Sequence, residues 1–254
     1  MDAPSGPSCL RIAAAGDVHC SEHHPEEAQR AFASVPESAD LLLLAGDLTT
    51  HGEPEQGEVL AEACASLEIP VLAVLGNHDW HADRTAELIE VLTAAGIQVL
   101  DRSWTICDCG GVDVGVVGVK GFIGGFSGSH LPDFGEPMLR GIYHETSLEV
   151  QALERRLREI ELCPVRLALM HYAPAEATVM GEPAGIRAFL GSDRLSAPLA
   201  EHEPDMVLHG HAHAGTFEGA IDDVPVYNVS VPVMGRAFWL FELDVSAPAR
   251  TAIR

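Results

Sequence analysis

Aspartate, asparagine and histidine recur in this chain at one kind of place, directly after a short apolar run. Ile12 to Ala15 leads into Gly16-Asp17-Val18-His19, Leu41 to Ala45 into Gly46-Asp47, and Val71 to Leu75 into Gly76-Asn77-His78-Asp79. Further on, Val165 to Met170, interrupted by Arg166, leads into His171, and Met206 to Leu208 into His209-Gly210-His211. Carboxylates, one amide oxygen and neutral imidazoles form a hard-to-borderline donor set. It suits Mn, Fe, Zn, Co or Ni better than Ca or Cu(I). The donors are enough for two ions. Two ions ~3.5–4 Å apart can share a carboxylate and a hydroxide and stabilise an in-line displacement at phosphorus. A nearby imidazolium can then protonate the leaving alkoxide.

Five such segments meet only if the runs are strands whose carboxyl ends share one edge. Buried parallel strands read as apolar runs, and open α/β sheets place ligands beyond those ends. The first third alternates accordingly: strands at 9–16, 40–46, 70–76 and 97–101, with helices near 25–35, 54–67 and 82–95 between them. Asp17, Asp47 and Asn77 are thirty residues apart, the length of one strand-helix-strand unit. Short strands over 103–119 then surround a turn at Asp108 to Gly111. A Gly-, Phe- and Pro-rich stretch without periodicity runs from Gly121 to Pro137. Thr146 and Glu149 fit a capping box opening a helix at 146, with Val150, Leu153, Leu157 and Ile160 as its core stripe. After the strand at 165–170, residues 172–203 read as loop with one or two short helices. Strands follow near 214–220, 224–230 and 236–245. No linker divides the chain, so one domain over 1–254 is expected, with 1–8 and 246–254 as loose tails.

Composition bounds the partners. The 254 residues suffice for a full core, and the formal charge is -23. So acidic a surface repels polyanions, which disfavours long nucleic acid and anionic membranes as partners. No run approaches the ~18 apolar residues of a membrane span, and Met1 to Cys9 carries no secretory signal pattern. The six cysteines show no disulfide framework and no Cys-X-X-Cys, so a reducing, cytoplasmic setting is expected. Cys107-Asp108-Cys109 would point both thiols to one face of a strand.

Taken together, Asp17-Val18-His19, Gly46-Asp47, Gly76-Asn77-His78-Asp79, His171 and His209-Gly210-His211 resemble the signature of the calcineurin-like metallophosphoesterases. The blocks occur in order over residues 16–211. The resemblance implies an α/β fold, a four-layer α/β/β/α sandwich of two mixed sheets. It implies a metal-dependent hydrolase in which a metal-bound hydroxide attacks phosphorus. Its cofactors would be two divalent or trivalent transition-metal ions, with Mn, Fe or Zn favoured. By the same resemblance Asp17, His19 and His211 hold one metal and Asn77, His171 and His209 the other, with Asp47 bridging. His78 would be the general acid or a clamp on the phosphoryl oxygen. Asp79 would orient His78 or serve as a structural carboxylate. The remaining histidines, His23, His24, His51, His81, His130, His144, His202 and His213, read as surface or rim residues.

Departures from the family's branches narrow the substrate. The stretch Gly46-Asp47-Leu48-Thr49-Thr50-His51-Gly52 lacks the arginine that the Ser/Thr protein phosphatases of the superfamily carry in this block. It is similar instead to the small bacterial phosphodiesterases. A small or nucleotide-like phosphodiester is therefore the first expectation. A phosphomonoester and a short oligonucleotide are the alternatives, and a catalytically silent metal-bound interaction module is the rival from outside enzymology. Residues 121–137 either face the substrate or form an irregular surface connection. In the first case Phe122, Phe126 and Phe134 could stack a ring, while Lys120 and Arg140 could meet a phosphate.

Overall fold

Strands β1 (Cys9–Ala15), β2 (Leu41–Ala45) and β3 (Val71–Val74) pair in parallel and end in step. Ala15 lies opposite Leu44, and Ala45 opposite Val74. Helices α1 (Pro25–Phe32), α2 (Pro54–Cys64) and α3 (Thr85–Ala94) make the crossovers, and α1 and α2 each open on a proline at the first helical position. With β4 (Ile97–Val99) and the antiparallel β11 (Trp239–Asp244) they form a five-stranded sheet, order β11-β1-β2-β3-β4. The computed structural model describes residues 9–33, 35 and 39–245, and the expected tails 1–8 and 246–254 lie outside the described residues.

The second sheet has the order β5-β6-β7-β8-β10-β9. Its strands are β5 (Ser103–Asp108), β6 (Asp113–Gly118), β7 (Val165–Leu169), β8 (Met206–His209), β9 (Glu218–Ile221) and β10 (Val224–Asn228). Both edge pairs, β5/β6 and β9/β10, are antiparallel, and the centre is parallel. Strand alternation splits its side chains between two cores. Val116, Leu167, Leu169, Met206 and Leu208 face the first sheet. Val117, Ala168, Met170 and Val207 face α4 (Pro137–Glu159) and α5 (Ser196–His202) on the other side. Helices α1 to α3 cover the outer face of the first sheet through Ala28, Phe32, Leu60, Leu88 and Leu92. The order is helix, sheet, sheet, helix, the expected four layers.

One expected element starts in the wrong place. Helix α4 begins at Pro137, nine residues before the expected capping box. Thr146 is an interior residue whose hydroxyl donates to the carbonyls of Ile142 and Ile123. Glu149 accepts from Arg102 and from the Gly121 N–H. Buried hydrogen bonds to another segment can produce the same Thr/Glu spacing as a cap. At the end of β5 the sulfurs of Cys107 and Cys109 lie 3.9 Å apart.

Candidate metal centre

The strand ends deliver their polar residues on tight backbone. Asp17, His19, Asp47 and His211 all have positive φ, between 45° and 70°. These are half of the eight non-glycine residues in that region among the described residues, and such strain gathers at functional sites. Glycines allow the close approach. A Cβ on Gly46 would lie 2.5 Å from His171 Nδ1, one on Gly76 2.1 Å from Asp47 Oδ1, and one on Gly210 2.5 Å from Asp17 Oδ2.

Asp47 lies at the middle. Its Oδ1 accepts the His78 N–H at 2.8 Å and sits 3.4 Å from His171 Nε2. Its Oδ2 lies 4.0 Å from His19 Nε2 and 3.9 Å from His78 Nε2. His171 is buried and bonds the Ala45 carbonyl through Nδ1 at 2.9 Å. That bond leaves a neutral His171 with its lone pair on Nε2, which points at Asn77 Oδ1, 2.9 Å away. Asp47 Oδ1, Asn77 Oδ1 and His171 Nε2 thus converge, an arrangement that suits a cation. His211 gives Nε2 to the Phe189 carbonyl at 3.1 Å, and burial pushes its pKa down to about 3. Asp47, His171 and His211 form one of three groups, among the described residues, whose donor atoms lie within 4.8 Å of one another. Asp17, His19 and His213 form a second, and His19, Asp47 and His78 the third. Burial would raise the Asp17 carboxyl, but the His213 hydrogen bond at 2.9 Å, the nearby His171 and the His211 N–H bring it down to about 2. Its ionised form is the one a metal requires.

Two assignments need correcting. His209, expected as a ligand, is fully buried and its Nε2 meets the Thr178 hydroxyl at 2.7 Å. It is the last residue of β8, on the Val207 face, so strand alternation turns it toward the outer layer. His213, expected on the rim, bonds Asp17 instead. The histidine pair is therefore His211 and His213, on the loop beyond the strand. His211 accordingly sits with Asp47 and His171, not with Asp17 and His19. The signal was legible: Gly210-His211-Ala212-His213 places two imidazoles two apart just past the strand end.

Asp79 does not orient His78. Its buried carboxylate accepts from the N–H groups of Leu48, Thr49 and Gly76 and from the Thr49 hydroxyl, tying the second block to the third. Burial raises its pKa against the pull of those donors. His78 is held by the Thr50 carbonyl, 2.8 Å from Nδ1, and faces His19 and His81.

The substrate candidates divide. Lys120 Nζ lies 5.0 Å from the Trp80 ring centre and 4.8 Å from that of Phe122. Among the described residues no carboxylate pairs with this ammonium, and burial lowers its pKa. Phe122 packs on Tyr172, which packs on His171 and His211. Trp80 and Tyr172 escaped the sequence reading because neither stands at a motif position. Phe126 cannot stack a substrate: it is fully buried with Ala173, Val179, Leu190 and Ala212. Arg140 is an exposed residue of α4, bound to Asp133 in a separate groove. The glycines of 121–125 fold that stretch inward at Phe126 and leave Phe134 exposed.

The chain matches the calcineurin-like phosphoesterase family model over residues 10–215, and it belongs to that family. It is accordingly a metal-dependent phosphoester hydrolase of a family that uses a dinuclear metal centre. It is similar to a protein from Synechococcus sp. described as a probable cyclic nucleotide phosphodiesterase. The two are 27% identical over 222 residues, 83% of this chain and 76% of the relative. Among solved structures, the phosphopantetheinyl hydrolase of Mycobacterium tuberculosis aligns with a TM-score of 0.66 at 15% identity, covering 89% of this chain and 91% of that one. GAP50, the anchor in the inner membrane complex of Plasmodium, aligns at 0.56 and 14% identity, covering 89% and 73%. These two likenesses show the fold alone. No helix among the described residues is long and apolar enough to cross a membrane.

Proposed function

We propose that this protein hydrolyses a small, nucleotide-like phosphodiester on two transition-metal ions, with Mn, Fe or Zn as the metals. The observation that carries the reading is the convergence of lone pairs on both sides of Asp47. Asp17, His19 and His213 would hold one ion, Asn77, His171 and His211 the other, and Asp47 both. When bound, the ions lower the pKa of water and neutralise charge developing on the phosphoryl oxygens. His78, with Nδ1 held by Thr50, presents Nε2 toward the cluster and protonates the leaving oxygen or clamps a phosphoryl oxygen. Lys120, steadied between Trp80 and Phe122, meets an anionic or ring-bearing part of the substrate. The diester preference is supported by the relative of that description and by the missing arginine in the second block. We read the whole chain as one domain at work in a reducing, cytoplasmic setting, a view supported by the core the two sheets share and by the buried thiols of Cys20 and Cys64.

The test is hydrolysis of bis(p-nitrophenyl) phosphate beside p-nitrophenyl phosphate, after chelation and reloading with Mn²⁺, Fe²⁺, Zn²⁺, Co²⁺ or Ni²⁺. Diester turnover that vanishes with chelator and returns with metal is expected. Monoester preference overturns the substrate class and keeps the centre. Silence on both, with two metals bound per chain, supports the interaction module instead.

A further inference from the structure

A cleft of about 830 Å³ opens beside the metal centre. His19 and Thr50 belong to both: His19 as a candidate ligand, Thr50 as the residue that holds His78. Any group attached to phosphorus and directed past His19 enters this space. The volume lies within the range of about 300–1,000 Å³ typical of small-molecule sites.

The cleft exists because its walls are small. His24, Glu27, Ala28 and Ala31 follow the i, i+3, i+4, i+7 spacing that puts them on one face of the α1 segment. The two alanines leave a trough, and buried Phe32 closes it from below. Val18 lines the end beside the metal centre. Val231 and Ala237, from the segment joining β10 to β11, form the opposite wall. Polar groups stand mainly at two places: at the metal-centre end, and along the exposed side chains of His24, Glu27 and Arg30. The middle offers alkyl surface. Lys120, Trp80 and Phe122 approach the centre from the side of His171 and take no part in this cleft.

We infer that the cleft between α1 and the Val231–Ala237 segment is a second substrate subsite, one that takes a flexible aliphatic arm carried by the phosphoryl group. The assignment rests on the phosphodiesterase reading, since a diester has two arms and the Lys120 platform accounts for one. An aliphatic arm fits better than an anionic one. Glu27 in the wall repels a second negative charge, and Arg30 stands exposed at the rim, where solvent screens its charge. Each methylene that leaves water for such a surface tightens binding by up to about fourfold.

Alkylphosphonates test this without turnover, because their carbon–phosphorus bond is not an ester. Methyl-, butyl- and hexylphosphonate are titrated calorimetrically into the Mn²⁺-loaded protein. Affinity is expected to rise roughly two- to fourfold per methylene, so that hexylphosphonate binds well over tenfold tighter than methylphosphonate. In Ala31→Trp, which fills the trough, the hexyl-to-methyl ratio is expected to collapse toward one. Ala237→Phe narrows the cleft from the opposite wall and is expected to do the same. Thermal melts and metal content identify which variants are folded and loaded. Equal affinity for the three phosphonates in the wild type overturns the assignment. So does a chain-length effect that survives in both variants. Failure of the phosphodiesterase reading is seen separately, as absent diester hydrolysis, and does not alter the phosphonate result.

Discussion

The two halves of the metal centre are built differently. Around Asp47, Asn77 and His171, main chain fixes the Asp47 and His171 side chains, and Asn77 meets the His171 ring. The His171 side chain is fully buried and bonded to Ala45, and Asp47 accepts from the His78 backbone. The adjoining loops are tied by Asp79 and permitted by Gly46 and Gly76. Around His19, His78 and His213 the side chains are 27%, 33% and 44% exposed. The rings of His78 and His213 meet that of His19 edge-on, His78 is held by the Thr50 carbonyl, and His213 bonds the Asp17 carboxylate. The first half is set when the strands pair. The second half borders the cleft and faces the incoming substrate. Rigidity lies where charge must be placed, and exposure where ligands must exchange.

The sharpest way to break this contrast is at its midpoint. Asp47 faces both halves, so Asp47→Asn should remove both ions and lower diester kcat/KM by a factor on the order of a thousand or more. Metal analysis and kinetics are read on the same sample. A variant that retains two ions and near-normal turnover would show that Asp47 is not the bridge. A smaller effect separates the two histidines on which sequence and structure disagree. His213→Ala should lose one ion and roughly a hundredfold in activity. His209→Ala should keep both ions and lose about 1–3 kcal/mol of stability, because the buried Thr178 hydroxyl loses one of its two partners and the Gly210 carbonyl loses the ring. The reverse pattern would restore the sequence assignment.

His209 also gives the fixed region a pH signature. Burial lowers its pKa from the ordinary 6.5 to about 4, so between those values the unfolded chain takes up a proton that the folded chain refuses. Its contribution to stability is complete above 6.5 and is lost as pH falls toward 4. The midpoint of thermal unfolding of metal-free protein should drop over this window, and His209→Gln should flatten the drop. An unchanged pH profile in the variant would mean that His209 is not buried as the neutral ring.

How much of this could be read in the sequence follows the same divide. The first three strand ends were legible, because each apolar run is a buried strand and Asp17, Asp47 and Asn77 each follow a glycine at a thirty-residue interval. The fourth, His171, follows the same logic. The last block misled because β8 extends through His209, one residue past its apolar run, and register alone decides which histidines leave the sheet. The start of α4 was missed because the Thr146/Glu149 spacing imitates a cap while serving the 121–123 segment. Phe126 was placed on the substrate because composition cannot tell a stacking ring from a ring that anchors a loop. Trp80 and Tyr172 carry no motif, but they follow directly on Asp79 and His171, and that adjacency is the signal that could place them at the centre.

The smallest expected effects concern the two cations proposed for the substrate. Lys120 and Arg140 flank the same loop, yet they differ in what already neutralises them. Lys120 sits half-buried against two rings and, among the described residues, in no ion pair, so a substrate anion gains a hydrogen bond to its ammonium without breaking one. Removing a charged hydrogen bond of that kind costs roughly ten- to a hundredfold, and Lys120→Met should show it mainly in KM. Arg140 is exposed and held by Asp133, where a surface ion pair is worth about 0–1 kcal/mol. Arg140→Ala should therefore leave kcat and KM for a nucleotide-arm diester within about twofold. An equal KM rise in both variants would mean that the two cations act only through the overall field, by offsetting the repulsion of the acidic surface. In that case raising the ionic strength should erase both effects, whereas a specific contact at Lys120 should persist in salt.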